Sequence, residues 1–301
     1  MSRILRVFDL SSYCHAGNVN KRAFFDGPIV ELATGYAQRN VPAGGVSLLF
    51  NQLYYYMGEC DMVFCADRNP TIKKGMYAGY KESRTHTRAI EIQKEVMERV
   101  LELCGFTVLY EEGYEADDFI YSVVTKYKDQ YDHIYVHTGD SDLYFLVSDN
   151  VSIDKTHSRT KEVNMANYSY SFKKNQFTPY NMITFMKVLN GDSSDDIPPL
   201  PVEKAQPVLD MFDSDFYRVR MGDKKFMRAS VEYAVPWMLP QFDLVYPLDT
   251  PVPEDFQYGN KQLVREFGYA MKNKLFDGNV TVSKFVEEAI NQMADEGMYF
   301  D

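Results

Sequence analysis

The sequence predicts an α/β fold in which helices flank a central, mostly parallel sheet. Residues 4–8, 62–66 and 133–139 are short runs of β-branched, apolar and aromatic side chains, a pattern typical of strands that are buried on both faces. Apolar residues at helical spacing lie between these runs, most clearly over residues 90–104. Strands that alternate with helices favour a parallel sheet.

The remaining elements follow from turn signals and from the spacing of apolar residues. The helix over residues 90–104 ends at Gly105, a residue that commonly terminates helices. The other predicted elements are, in chain order, a helix near residues 28–37, a turn at 41–45, an apolar helix over 46–57, a strand at 106–110, a helix over 115–128 and a helix that begins at 143–146.

Five short segments each carry acidic residues where an apolar run ends. Strands of one parallel sheet deliver their C-terminal ends to one edge, where ligands of open α/β sheets bind. We therefore expect these acids to meet in one cleft, where they would repel one another unless metal ions lay among them. The ten carboxylates are those of Asp9, Asp67, Glu115, Asp117, Asp118, Asp140, Asp142, Asp192, Asp195 and Asp196.

The chemistry of these ligands indicates the metal and the reaction. Carboxylate oxygens without accompanying histidine or cysteine suit Mg²⁺ or Mn²⁺. Two such ions side by side are the apparatus of phosphodiester hydrolysis. The sequence therefore predicts a metal-dependent nuclease.

The composition is compatible with a nuclease but does not by itself predict one. The chain has 301 residues and a net charge of −11, which argues against a polyanionic substrate. Two divalent cations would add four positive charges and leave −7. The densest basic stretch, residues 68–99, begins one residue after Asp67. The four cysteines show no metal-binding or disulfide pattern, and the absence of a long apolar run predicts a cytoplasmic protein without a membrane segment.

Some of the acids could instead have an ordinary structural role. Asp117 and Asp118 lie on the first turn of a predicted helix, where the helix dipole favours negative charge. Asp140 or Asp142 can cap the helix that follows them. A helix cap needs only one acid of each pair. The second acid of each pair is therefore still expected to bind metal.

The last acidic segment predicts two different roles for its members. Asp192 and Asp195 are one helical turn apart and are expected to reach a second metal ion. Asp196 points elsewhere and is expected to be a cap or a surface residue.

Five motifs in order over residues 8–196 resemble the 5′-nuclease family of flap endonucleases and 5′-3′ exonucleases, with phage 5′-exonuclease and phage RNase H as the most similar members. Tyr80-Lys81-Glu82-Ser83-Arg84 also resembles the Y-K-x-x-R of the arch through which the family threads single-stranded 5′ ends. The five motifs are Phe8-Asp9, Cys65-Ala66-Asp67, Tyr114-Glu115-Ala116-Asp117-Asp118, Thr138-Gly139-Asp140-Ser141-Asp142 and Leu189-Asn190-Gly191-Asp192-Ser193-Ser194-Asp195.

The resemblance implies a domain organisation and a set of site residues. It implies a PIN-like core over residues 1–186 with an arch at about 68–90, and a helical C-terminal region over 187–301. Lys81 and Arg84 would be catalytic, and two Mg²⁺ ions, replaceable by Mn²⁺, would be the cofactor. A first metal site would use Asp9, Asp67, Glu115, Asp117 and Asp140, with Asp118 as a further ligand, and a second would use Asp142, Asp192 and Asp195. The nucleic-acid contacts would be Lys73, Lys74, Tyr80, Lys81, Arg84 and Arg88.

The family pattern breaks after the last motif. The 5′-nucleases usually carry a glycine-rich hairpin there, N-I-x-G-V-x-G-I-G-x-K, whose backbone amides grip duplex phosphates and a potassium ion. Residues 196–205 contain no glycine, and the prolines among them lack amide donors. We therefore expect a divergent helix-three-turn-helix and no potassium site.

The expected substrate is DNA with a 5′ flap, a nick or an RNA primer, cut by a monomer. The expected location is the cytoplasm, or the host cytoplasm if a phage encodes the chain, and a single-strand binding protein is a candidate partner. Two alternatives stay open at this point. One is a PIN-type ribonuclease, which typically uses about four such acids in a shorter chain. The other is a noncatalytic nucleic-acid-binding scaffold.

Overall fold

The structure is a computed structural model. It describes residues 3–19, 24–25, 41–42, 44–85, 88–155, 162–165, 169–173 and 176–265. The helix predicted near residues 28–37 lies outside the described residues.

Strands and helices alternate over much of the chain, as the sequence predicts. The strands are β1 (Ile4–Asp9), β2 (Phe24–Phe25), β3 (Val41–Pro42), β4 (Asp61–Cys65), β5 (Val108–Leu109), β6 (His133–Thr138), β7 (Val151–Lys155), β8 (Glu162–Val163), β9 (Ser169–Lys173) and β10 (Gln176–Pro179). The α-helices of the described residues are α1 (Leu10–Val19), α2 (Gly44–Tyr56), α3 (Thr71–Met76), α4 (Arg88–Leu103), α5 (Ala116–Tyr127), α6 (Ile183–Asn190), α7 (Val202–Phe212), α8 (Asp215–Arg220), α9 (Lys224–Ala234) and α10 (Leu239–Val245).

The chain forms two compact units that interleave in sequence. Unit 1 is built mainly from Asp67–Thr85 and Tyr110–Val252. Unit 2 is built from Arg3–Ala66, His86–Leu109 and the chain from Pro253 onward. Residues 186 and 187 both lie inside unit 1, and the predicted division into a core and a C-terminal region stays a prediction.

The main sheet has six strands and is mostly parallel, which confirms the predicted α/β fold class. In unit 2 the strand order is β5, β4 and β1, all parallel. In their register Asp9 lies beside Cys65, so the acid of β1 and the end of β4 share one edge of the sheet. The predicted strand at 106–110 is reduced to Val108–Leu109, because Phe106 pairs instead with Tyr258 in an antiparallel bridge.

Unit 1 holds β6, β7 and β8. β6 and β7 are parallel, and β8 adds to β7 in the antiparallel direction. β6 ends at Thr138, two residues before Asp140, as predicted. The sequence did not predict β7 and β8, nor the antiparallel pair of β9 and β10.

Apolar and aromatic side chains bury the strands as the sequence predicts. In unit 2, Leu5, Val7 and Phe8 of β1 are fully buried, and Phe8 stacks on Phe64 of β4 with ring centroids 4.9 Å apart. Such an aromatic pair contributes about 0.5–1.5 kcal/mol beyond its buried area. The four cysteines are free thiols, and burial raises the pKa of Cys104 to about 12.

Three of the predicted helices are confirmed within two residues at each end: α2, α4 and α5. The helix predicted from residues 143–146 is a single 3-10 turn, Asp142–Leu146. Within the described residues, no helix is long and apolar enough to cross a membrane.

Candidate active site

Eight of the nine acids predicted as metal ligands belong to unit 1, and Asp9 belongs to unit 2. Asp9 is 2% exposed at the end of β1, and its carboxylate accepts hydrogen bonds from the backbone and hydroxyl groups of Ser11 and Ser12. The other eight lie after β4, at the start of α5, after β6 and after α6, in four separate segments of unit 1.

Glu115, the residue before α5, accepts hydrogen bonds from three side chains. Its Oε2 accepts hydrogen bonds from Lys73 Nζ at 3.1 Å and from the Tyr80 hydroxyl at 2.7 Å. Its Oε1 accepts a hydrogen bond from Lys81 Nζ. Burial alone would raise the pKa of Glu115, but the two ammonium groups outweigh burial and hold that pKa well below its ordinary value. Glu115 is therefore ionised although it is 6% exposed.

Asp195 shares two of these partners and adds an arginine. Its Oδ2 lies 3.2 Å from the Tyr80 hydroxyl and 3.6 Å from Lys81 Nζ, and its Oδ1 accepts a hydrogen bond from Arg84 Nη2 at 2.8 Å. Burial raises the pKa of Asp195, and Lys81 and Arg84 act against that rise. Lys81 and Arg84, the two residues predicted to be catalytic, thus lie directly against two of the predicted acids.

Asp118 differs from the other acids, because both of its oxygens are occupied by backbone donors. Oδ2 accepts the N–H of Glu115 at 2.9 Å, and Oδ1 accepts the N–H of Leu248 at 2.6 Å. Its side chain is fully buried, and Lys73 Nζ lies 3.7 Å from Oδ1. Asp118 therefore caps α5 and anchors the segment after α10, and its role as a metal ligand stays a prediction.

Asp67 and Asp117 lie at the same end of α5. Oδ1 of Asp67 accepts the backbone N–H of Ala116 at 2.8 Å, which ties the segment after β4 to the first turn of the helix. Asp117 is half-buried on that turn. Both positions favour negative charge, because the N-terminus of a helix carries a partial positive charge.

A second group of acids surrounds a lysine that carries no sequence motif. Lys187 of α6 donates hydrogen bonds to Asp142 Oδ1 and, at 2.7 Å, to Asp192 Oδ2. Asp140 lies next to this pair, since its Oδ1 accepts the backbone N–H of Asp142 at 2.9 Å. Burial raises the pKa of Asp142 well above its ordinary value, and the charge of Asp140 adds to that rise. The sequence did not predict a role for Lys187, because a lone lysine on an apolar helix gives no signal of its own.

The turn that carries Asp192 and Asp195 is not helical, which changes the predicted grouping of acids. The backbone N–H and C=O of Asp192 pair with the C=O and N–H of Ile197, each at 2.9 Å, and close a tight turn. Gly191 enters it at φ 72°, where a Cβ would lie 2.5 Å from the carbonyl oxygen of Ile197. As a result Asp192 faces Lys187 and Asp142, whereas Asp195 faces Lys81 and Glu115.

The residues predicted to contact nucleic acid separate into exposed and buried sets. Lys74 is exposed and bonds Asn69 Oδ1 at 2.8 Å. Lys73 is 4% exposed and Tyr80 is 1% exposed, and both donate hydrogen bonds to Glu115. Their contact with nucleic acid stays a prediction. Arg88 begins α4 in unit 2, and its side chain lies outside the described residues.

The donor set suits a hard divalent cation. Every acid in these groups offers carboxylate oxygens, the ligands that Mg²⁺ and Mn²⁺ prefer. Within the described part of the chain, no three acidic, histidine or cysteine side chains lie at metal-binding distance of one another. The ammonium group of Lys187 bridges Asp142 and Asp192. These two carboxylates thus lie close enough to share one cation.

Comparison with known proteins identifies a family. Residues 16–175, just over half of the chain, match the family described as the 5′-3′ exonuclease, N-terminal resolvase-like domain. The match includes the acidic segments from Asp67 to Asp142 and the Lys81 and Arg84 segment, and it excludes Asp9, Asp192 and Asp195.

Two kinds of relative resemble the chain in sequence. DNA polymerase I of Mycobacterium leprae is 32% identical over 132 residues, 44% of this chain and 14% of that protein. A 5′-3′ exonuclease of Aquifex aeolicus is 28% identical over 152 residues, and one of Mycoplasma genitalium is 30% identical over 131 residues. The matched region spans 14% of the polymerase, 50% of the first exonuclease and 44% of the second.

Two solved structures of the phage T5 D15 protein resemble the fold over nearly the whole chain. One was co-crystallised with metal ions, at TM-score 0.52 and 15% identity, and covers 96% of this chain and 100% of that one. The other is the D15 flap endonuclease in a pseudo-enzyme-product complex with DNA and metal ions, at TM-score 0.52 and 16% identity with the same coverage. At this identity the likeness concerns the fold, and it confirms the PIN-like arrangement. The match over residues 16–175 shows that the chain belongs to the 5′-3′ exonuclease family with an N-terminal resolvase-like domain.

Proposed function

We propose that this protein is a divalent-metal-dependent 5′-nuclease that hydrolyses phosphodiester bonds of DNA, or of RNA-primed DNA, at or near a 5′ end. The observation that carries the proposal is the contact of Lys81 and Arg84 with Glu115 and Asp195 in a member of the 5′-3′ exonuclease family. Cations beside acids are what phosphoryl transfer needs, because the acids bind metal and the cations bind phosphate.

Two sets of carboxylates would hold the metal ions. Asp67, Glu115, Asp117 and Asp195 form the first set, and Asp140, Asp142 and Asp192 form the second, with Asp9 as a further ligand by family resemblance. The chemistry that bound divalent ions supply is activation of the attacking water and stabilisation of the leaving oxygen. We assign Asp118 to structure rather than to the ligand set, because its side chain is fully buried and its two oxygens hold the backbone N–H groups of Glu115 and Leu248.

The cations of the chain have separate tasks in this proposal. Lys81 and Arg84 lie nearer the surface than Lys73, so they turn from Glu115 and Asp195 to the phosphate and stabilise its developing charge. Lys73 is nearly fully buried and stays with Glu115, which keeps that carboxylate ionised and oriented. Asp142 and Asp192, which Lys187 now bridges, would hold a divalent cation in place of the Lys187 ammonium group.

The substrate is proposed to be DNA with a 5′ flap, a nick or an RNA primer, with Mg²⁺ as the physiological ion. Residues 198–201 contain three prolines, which lack the amide donors of the glycine hairpin. The C-terminal helices α7 to α10 would therefore bind the duplex without that hairpin. A single-strand binding protein as partner, action as a monomer and a location in the cytoplasm are further parts of the proposal.

The test is cleavage of three substrates, a 5′ flap, a nicked duplex and an RNA-primed duplex, each labelled in turn at either end. We expect cleavage from the 5′ end in Mg²⁺ and none in EDTA, with product lengths that separate flap cutting from stepwise trimming. Cleavage of single-stranded RNA alone would point to a PIN-type ribonuclease. Binding without cleavage of any substrate would point to a scaffold.

A further inference from the structure

Two segments of unit 1 are bonded to each other beside the acids. We name residues 80–84 the cation loop, because it carries Lys81 and Arg84, and residues 192–197 the acid turn. The backbone N–H of Lys81 donates to the carbonyl oxygen of Asp195 at 3.0 Å. Arg84 Nε donates to the carbonyl oxygen of Ser194 at 3.1 Å. The position of both cations therefore depends on the acid turn.

Asp196 makes the side-chain part of this connection. Its Oδ2 accepts the backbone N–H of Ser83 at 2.8 Å, and its Oδ1 accepts the hydroxyl of Ser83 at 2.7 Å. Ser83 lies between Lys81 and Arg84 in the sequence. Hydrogen bonds to Ser83 therefore restrain the backbone that carries both cations. These two hydrogen bonds also lower the pKa of Asp196, which keeps the acceptor charged.

The backbone is unusual on both sides of the contact. Within the described part of the chain, only two residues other than glycine have a positive φ: Lys81 at 53° and Asp196 at 57°. Such conformations are uncommon for residues with a Cβ and persist where the surroundings hold them. One member of each bonded segment is in this state, which indicates that the two segments are shaped to fit each other.

We propose that Asp196 is a positioning residue that acts through Ser83 to hold Lys81 and Arg84 at the site of phosphate binding. This inference rests on the proposed function, since it assigns the two cations to the reacting phosphate. Both carboxylate oxygens of Asp196 accept hydrogen bonds from Ser83, so the proposed role is exerted through Ser83.

Four variants separate the side chain from the backbone at this position. Asp196→Gly removes the acceptor and relieves the backbone strain of the positive φ. Asp196→Ala removes the acceptor and keeps that strain. Asp196→Asn keeps one carbonyl acceptor and tolerates the positive φ. Ser83→Ala removes only the hydroxyl donor. Asp149→Gly serves as the matched control, because Asp149 is an exposed acid in a turn of the same unit.

We expect Asp196→Gly and Asp196→Ala to lower kcat on a 5′-flap substrate about tenfold with KM within about twofold, because a charged hydrogen bond to the loop is lost. Asp196→Asn should recover most of kcat, Ser83→Ala should lose about two- to threefold, and Asp149→Gly should match the wild type. Wild-type kcat in Asp196→Gly would overturn the proposal, as would a loss that only follows a lower Tm.

A second measurement does not depend on activity. Hydrogen exchange at the amides of residues 81–84 should be faster in Asp196→Gly than in the wild type and unchanged in Asp149→Gly. If the wild type cleaves no substrate, the proposed function fails, and hydrogen exchange still tests the contact itself. Equal exchange in both variants would overturn the positioning role.

Discussion

At the level of single residues, Glu115 has two ammonium partners that differ in exposure. The side chain of Lys73 is 5% exposed and that of Lys81 is 14% exposed. In the proposed function the more exposed lysine moves to the phosphate, and the buried one keeps the carboxylate charged. This division explains why the pKa of Glu115 is depressed although the group is buried, a condition that usually raises the pKa of an acid.

The depressed pKa of Glu115 predicts how metal-free stability depends on pH. Above the unfolded-state pKa, about 4.3, both states are ionised and the full stabilisation is present. Below it the unfolded state takes up a proton while the folded state stays ionised, so stability falls. Glu115→Gln lacks this term, and its free energy of unfolding should fall less between pH 6 and pH 3. Denaturant unfolding in EDTA at several pH values measures both slopes, and equal slopes would contradict the assignment.

Lys81 should act on the reaction rather than on binding. We expect Lys81→Ala to lower kcat more than it raises KM, because charge on the phosphoryl oxygens grows in the transition state. Steady-state kinetics on a 5′-flap substrate measure the two effects, and Lys128→Ala is the matched control, since Lys128 is an exposed lysine just after α5. A change in KM alone would reduce Lys81 to an ordinary phosphate contact.

At the level of elements, the first turn of α5 gathers three acids with different roles. Asp118 bonds the backbone N–H groups of Glu115 and Leu248, whereas Asp117 is half-buried on the same turn. We expect Asp118→Ala to lower the free energy of unfolding by about 1–3 kcal/mol, because one buried and one half-buried backbone donor lose their acceptor. Asp117→Ala should lower stability less and cut the cleavage rate by at least ~10². Unfolding curves and single-turnover rates compare the two, and the reverse ranking would contradict these roles.

The elements also show what sequence patterns can and cannot predict. β1, β4 and β6 were predicted nearly residue for residue, because a short apolar run that ends in acid is typical of a buried strand that reaches the ligand-binding edge of a parallel sheet. The turn after Gly191 was predicted as helical, since spacing alone cannot reveal the backbone pairing of Asp192 with Ile197. Lys187 and the bond from Asp196 to Ser83 join residues far apart in sequence, so only the fold brings them together.

At the level of the whole molecule, the net charge of −11 opposes the approach of DNA until the acids are neutralised. The affinity for a 5′-flap substrate should therefore be weak in EDTA and rise several-fold with a divalent cation. Fluorescence anisotropy at constant ionic strength, with Ca²⁺ or with EDTA and added NaCl, measures this difference. An affinity that does not depend on the divalent cation would show that the acids do not face the substrate.

The measurement that tests the central claim most directly is the single-turnover rate at which wild type and Asp140→Asn cleave a 5′-flap substrate in Mg²⁺. Asparagine keeps the Oδ1 acceptor for the N–H of Asp142, so the variant should fold with an unchanged Tm. We predict cleavage from the 5′ end by the wild type and a rate at least ~10² lower in the variant. A variant that cleaves as fast as the wild type would show that Asp140 is structural. A wild type that cleaves no substrate would contradict the claim that this protein is a nuclease.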